Sequence, residues 1–298
     1  MTPTISVSGL TRRYHSQLAL DDVTLHINGP SITGLLGRNG AGKTTLMRII
    51  AAQEFASGGS VRVLGSSPVE NGAVLRRMVL VREDQTLPRL RVGHLLRAAS
   101  WFYPNWSSGL AKGLVADFNV PLNRNTRGLS RGMRTALGIV IGLAARAEVT
   151  LFDEPYAGLD AVARQLFYDR MLRDFADHPR TILISTHLID EAADLLERVL
   201  VIDRGRLVLD EAADDLRGAA TTVSGTVDAV EKFAAGRAAW DRRSIGSQAS
   251  MVVSGVLDDD DRALARLLHV SLTPLSLQQL VAHVPGWSNS DPKENQSA

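Results

Sequence analysis

The chain has 298 residues, 45% of them hydrophobic and 22% charged, with a net charge of +1. That balance is one of a globular protein with a sizeable core, and it gives neither an electrostatic footprint for nucleic acid nor an acidic tail. Cysteine is absent, which excludes disulfides, thiolate metal sites and cysteine nucleophiles and fits a reducing cytoplasm.

Met1 to Leu10 has no basic stretch followed by an apolar core, so no secretory signal is expected. Ile32 to Leu36 reads as an apolar strand, followed by a Gly-rich turn and a helix from about Lys43 to Ala52. Val79 to Val81 is a short strand. From about Leu87 to Arg146 the pattern is helical, with breaks at Pro104, Pro121 and Arg124 to Gly128, which predicts a helical insert between two sheet strands. Its apolar run Ala136 to Ala145, flanked by Arg134 and Arg146, falls short of the ~18 residues that cross a bilayer and reads as a buried helix. A membrane function would therefore need another chain to supply the pore.

Val149 to Phe152, Thr181 to Ser185 and Val199 to Ile202 read as strands, separated by helices at Ala161 to Phe175 and Leu188 to Leu196. Strands alternating with helices predict a parallel α/β sheet. Beyond about Gly218 strands are expected at Thr221 to Thr226, Met251 to Val256 and Val270 to Leu272. Helices are expected there at Val227 to Ala235, Asp259 to Leu268 and Ser276 to His283. This predicts a small α+β domain over 218–287, followed by a polar, disordered tail from Ser288 to Ala298.

Gly37-Arg38-Asn39-Gly40-Ala41-Gly42-Lys43-Thr44 fits the phosphate-loop pattern G-x-x-x-x-G-K-[ST]. Glycines let the backbone turn tightly and point several N–H groups at phosphate oxygens. The helix that follows aims its positive N-terminal end at the same anion. Lys43 would reach the outer phosphates, and the Thr44 hydroxyl would ligate Mg²⁺. Only four lysines occur in the chain, yet one occupies this position, where a compact ammonium suits a point contact with phosphate. The pattern also follows a predicted strand and opens a predicted helix, which separates it from an ordinary Gly-rich turn.

A Mg²⁺–nucleotide site needs a carboxylate at the end of a nearby buried strand. Thr150-Leu151-Phe152-Asp153-Glu154-Pro155 supplies one. Asp153 would hold Mg²⁺, directly or through water, and Glu154 would polarise the attacking water. His187, in Ser185-Thr186-His187, ends the next strand at the same sheet edge and is a candidate γ-phosphate contact. The acids Asp258 to Asp261 do not converge as metal ligands and read as a dipole-favoured helix start.

Together these residues resemble the ATP-binding subunit of ABC transporters over about Ile5 to Arg217. The resemblance implies a P-loop NTPase of ABC type, an α/β domain over 1–217 with an antiparallel β subdomain and a helical insert at about 87–146. Tyr14 resembles the aromatic that stacks on adenine, and Thr45 extends the nucleotide-binding set. Leu129-Ser130-Arg131-Gly132-Met133 resembles the L-S-G-G-Q signature, with Ser130 also a good N-cap. Ala157-Gly158-Leu159-Asp160 resembles the D-loop, and His187 the switch histidine. The family pairs two such domains head to tail. ATP would then lie between the phosphate loop of one and Ser130 and Gly132 of the other, a second copy or a paralogue. Closure on ATP would drive separate transmembrane permease subunits, placing the chain on the cytoplasmic side of the cell membrane.

Two positions depart from the pattern. Arg131 and Met133 stand where Gly and Gln are usual, and Glu83 stands where a Mg²⁺-touching glutamine is expected, with Gln85 two residues later. The Glu83 position and Phe102-Tyr103-Pro104-Asn105-Trp106 are similar to a bacterial subgroup that exports drugs or peptides. The competing reading is a soluble ABC-type ATPase acting on ribosomes or DNA. Such proteins carry two ATPase domains or long coiled-coil inserts, and this chain has neither pattern. No N-K-x-D motif supports a GTPase, and Glu154 with His187 argues against a non-catalytic sensor.

Overall fold

The structure, a computed structural model, describes residues 2–282. The expected tail from Ser288, and His283 at the expected end of the last helix, lie outside the described residues. The chain divides into two compact units, the first ending at Asp210 and the second beginning at Glu211.

The first unit begins with β1 (Ile5–Tyr14), β2 (Gln17–Ile27), β3 (Ser31–Leu36), α1 (Lys43–Ile50) and β4 (Gly58–Val63). It continues through α2 (Gly72–Leu75), β5 (Met78–Arg82), α3 (Val92–Phe102), α4 (Ser108–Asp117), α5 (Arg131–Ala144) and β6 (Val149–Asp153). It closes with α6 (Ala161–Asp177), β7 (Thr181–Ser185), α7 (Ile189–Ala192), β8 (Arg198–Asp203) and β9 (Arg206–Ala212), whose last residues pass into the second unit.

Two sheets form. β2, β1 and β4 make an antiparallel three-stranded sheet in that order. Tyr14 ends β1, at the hairpin into β2. The larger sheet has the order β5-β6-β7-β3-β8-β9, and its β5/β6, β6/β7, β7/β3 and β3/β8 pairs are parallel. β6 is buried along its whole length because helices cover both faces of such a sheet. Val149, Leu151 and Phe152 are each fully buried, contributing ~1.5–3 kcal/mol apiece. The helix α5 lies close over β5 and β6 because its facing residues are small. A Cβ at Gly142 would fall 2.6 Å from Val81 Cγ2 and 2.8 Å from the Phe152 ring.

Register positions the chemistry. Asp153 is level with Ser185 on β7, which is level with Leu35 on β3. The residues after these strands (Gly37, Glu154 and Thr186) therefore leave one edge of the sheet, where open α/β sheets bind ligands.

The second unit contains α8 (Ala213–Leu216), β10 (Ala220–Thr226), α9 (Val227–Ala234), β11 (Ala239–Ile245), β12 (Gln248–Ser254), α10 (Asp259–Leu267), β13 (Ser271–Pro274) and α11 (Leu277–Val281). The unit starts upstream of the expected boundary at Arg217 because α8 groups with it. Its antiparallel sheet has the order β11-β12-β10-β13, so β10 to β13 form the βαββαβ topology of ferredoxin-like folds. β11 is an addition to the expected elements. Phe233, Val230 and Ala265 pack on Val223 and Val253 to make its core. Asp258 caps α10 in a reciprocal capping box with Asp261, as the acidic run predicts. Among the described residues, no helix is long and apolar enough to cross a membrane.

Candidate functional site

The phosphate loop bridges β3 and α1. Gly42 caps α1 with φ +112°, and a Cβ there would meet the Ala19 carbonyl oxygen at 2.6 Å. Glycine is required on both counts. Ala41 is buried beneath the loop, and its N–H donates to the Arg38 carbonyl at 3.1 Å. Lys43 folds back over the loop. Its Nζ donates to the Gly37 carbonyl at 2.6 Å and the Arg38 carbonyl at 3.3 Å, and lies 3.8 Å from Glu154 Oε1. Burial pulls the Lys43 ammonium below the usual lysine range, with Glu154 and Asp153 opposing that shift.

A cavity of about 330 Å³ opens above the loop. Tyr14, Arg38, Asn39, Gly40, Gly42, Lys43, Thr44, Thr45 and Glu154 line it, together with Gln17 and Ala19. Tyr14 is partly exposed. The Arg12 guanidinium sits 4.5 Å from its ring centroid, and its hydroxyl is tied to Glu54.

Asp153 is buried and accepts a hydrogen bond from Ser185 Oγ at 2.7 Å. The Glu154 N–H donates to the same Ser185 oxygen at 3.0 Å. Glu154 has a left-handed backbone, φ +49°, a conformation that costs about 1–3 kcal/mol in a side-chain-bearing residue and is concentrated at functional sites. Its Oε2 lies 2.7 Å from His187 Nδ1 and accepts a short hydrogen bond from Tyr156. Its Oε1 is buried without a hydrogen-bond partner and faces the cavity's lysine. The Lys43 ammonium over a glycine cradle fits a polyphosphate, and the unbonded Glu154 Oε1 beside it fits a water that donates to it.

The remaining expected residues are placed elsewhere. Ser130 caps α5 by accepting from the Met133 N–H at 3.2 Å, and Asp160 caps α6 by accepting from Ala163 at 2.8 Å. A Cβ on Gly132 would fall 2.6 Å from the Gly158 carbonyl, and Thr135 Oγ1 donates to the Ala157 carbonyl at 2.7 Å. The start of α5 thus rests on the loop after β6. Neither Ser130 nor Gly132 lines the phosphate-loop cavity of its own chain. Glu83 follows β5, and its N–H donates to the Asp153 carbonyl at 3.3 Å. Its carboxylate pairs with Arg131, so the two departures from the family pattern meet each other. Gln85 turns its amide onto Gly138 of α5. Tyr156, Thr186 and Ser185 are site residues that sequence reasoning did not assign. Their only sequence signal is adjacency to Asp153, Glu154 and His187.

The family model described as ABC transporter matches residues 20–157. The daunorubicin resistance ATP-binding protein DrrA3 of Streptomyces coeruleorubidus is 30% identical over 268 residues, covering 87% of this chain and 81% of that protein. The aliphatic sulfonates import ATP-binding protein SsuB 1 of Nocardia farcinica is 32% identical over 209 residues, covering 70% and 81%. A dimeric ATP-binding cassette solved with ADP and Pi superposes with a TM-score of 0.62 at 20% identity, covering 70% of this chain and 98% of that one. The chain belongs to the ABC transporter family, as one of its ATP-binding, ATP-hydrolysing proteins.

Proposed function

We propose that the chain energises export of drugs or peptides through separate membrane-spanning subunits. The likeness to one drug-resistance protein, which extends over 87% of this chain, supports the export reading. A match of 268 residues must enter the second unit, which begins at Glu211. That unit is read as an accessory domain of the exporter type.

In this reading Gly37 to Thr45 bind the ATP phosphates and Tyr14 offers its free ring face to adenine. Thr44 and Asp153 would hold Mg²⁺, and Glu83 would join them by giving up its pair with Arg131; the ion would neutralise charge on the phosphate oxygens. Glu154 Oε1 accepts a hydrogen bond from the attacking water, and His187 orients toward the γ-phosphate. Ser130, Gly132 and Asp160 serve a second copy or a paralogue. Their absence from the lining of this chain's own cavity and the dimeric cassette of like fold support that role. The chain then works at the cytoplasmic side of the cell membrane, with no nucleic-acid partner.

The test uses inside-out membrane vesicles containing the chain and its co-purified polytopic protein. Mg²⁺-ATP should drive uptake of a fluorescent planar cationic drug. Uptake that needs right-side-out vesicles would point to import, and co-purification of ribosomes instead would favour the soluble reading.

A further inference from the structure

Tyr156 lies three residues past Asp153 and is 4% exposed. Its hydroxyl meets four groups. It is short-bonded to Glu154 Oε2, 2.8 Å from Thr186 Oγ1, 2.9 Å from the His187 backbone nitrogen and 3.3 Å from His187 Nδ1.

The partners fix where the protons lie. The His187 backbone N–H can only donate, so the phenol oxygen accepts there. Leu188 N–H donates to Thr186 Oγ1 at 2.9 Å, which frees the Thr186 proton to point at Tyr156. With both acceptor positions filled, the phenol proton goes to the Glu154 carboxylate, as a charge-assisted bond. Oε2 is then held from two sides, by Tyr156 and by His187 Nδ1 at 2.7 Å. The Tyr156 ring supports that imidazole edge-on, with centroids 5.5 Å apart. Glutamate has three side-chain torsions, and this grip removes their freedom while leaving Oε1 without a hydrogen bond, 3.8 Å from Lys43 Nζ.

We propose that Tyr156 is a positioning residue for ATP hydrolysis, clamping Oε2 of Glu154 against His187 so that Oε1 alone meets the attacking water. This rests on the reading of Glu154 as the water-polarising group. Tyr156 itself does not line the phosphate-loop cavity, so it acts on the site through Glu154 and His187.

Tyr156→Phe removes one oxygen and keeps the ring. A hydrogen bond to a charged group contributes ~1.5–3 kcal/mol, so kcat should fall roughly 10- to 100-fold. KM and the affinity for a fluorescent ATP analogue should stay within about twofold. Without nucleotide, exchange of the His187 backbone amide should accelerate about tenfold or more while amides of β6 keep their rates. In single-turnover assays on a Glu154→Gln background, Tyr156→Phe should cost nothing further, because the two act as a unit. Tyr156→Leu, which also removes the ring, separates packing from clamping. Near-normal kcat in Tyr156→Phe with loss only in Tyr156→Leu would overturn the clamp, as would a full additional loss in the Glu154→Gln background. A wild-type chain that binds ATP without hydrolysing it would overturn the reading of Glu154 and the clamp together.

Discussion

Lys43→Met isolates what the phosphate loop is built for, because its effect should change with ligand. Without nucleotide the substitution replaces a buried ammonium, which burial disfavours, by an apolar chain of similar length. It forfeits the bonds to the Gly37 and Arg38 carbonyls, so the melting temperature should stay within about 2 °C of wild type. With ATP at a hundred times the wild-type Kd, the wild type gains ~2.7 kcal/mol. At ~2–4 °C per kcal/mol for a unit of this size, its transition should rise by about 5–11 °C. Losing Lys43 removes at least one charge-assisted contact to the outer phosphates, ~3 kcal/mol or about a hundredfold in Kd. The variant then sits near its own Kd at the same ATP concentration, and its shift should shrink to about 1 °C. Differential scanning fluorimetry with and without ATP reads both numbers. An ATP shift equal to wild type would refute the placement of phosphate over Lys43. A ligand-free transition 10 °C lower would refute the view that burial of the ammonium offsets what its bonds contribute to the empty loop.

The buried pair beneath α6 gives a second prediction. Asp174 accepts from Arg146 at 2.7 and 3.0 Å and lies 2.9 Å from Arg180 Nη2, with Asp174 and Arg180 both almost wholly buried. Asp174→Ala strands the Arg180 guanidinium, so thermal unfolding should show a loss of ~3–5 kcal/mol, about 6–20 °C, and a change under 2 °C would contradict it. In the second unit, the Arg237 hydrogen bond holds the Asp261 carboxyl below its ordinary range. The unfolded chain therefore binds the extra proton, and the stabilisation is complete above about pH 4 and lost as pH falls through the lower folded value. Acid melts of wild type should steepen below pH 4 relative to Asp261→Asn, and parallel curves would remove Asp261 from the balance.

What could be read from the sequence followed from local rules. Gly37 to Thr44 carries its geometry in glycine spacing, and β6 declares itself by an unbroken apolar run ending in two acids. The helix α5 was visible as the apolar run Ala136 to Ala145 between Arg134 and Arg146. β11 was not visible because its residues carry no apolar alternation. Asp241, Arg242 and Arg243 stand in one run, and the alternation that marks a half-buried strand is missing. The clamp on Glu154 was hidden for a different reason. Tyr156 is two residues from Glu154, but its other partners, Thr186 and His187, come from β7's far end, some thirty residues on, and only the parallel register of β6 with β7 joins them. Arg131 and Glu83 likewise looked like two separate departures until the end of β5 and the start of α5 brought them into one ion pair.

Phosphate release from Mg²⁺-ATP by the wild-type chain and by Glu154→Gln, each with its ATP affinity measured in parallel, tests the central claim most directly. Wild type should release phosphate, and Glu154→Gln should bind ATP as tightly while releasing it at least about a hundredfold more slowly. Equal rates in the two proteins would contradict the assignment of hydrolysis to Glu154.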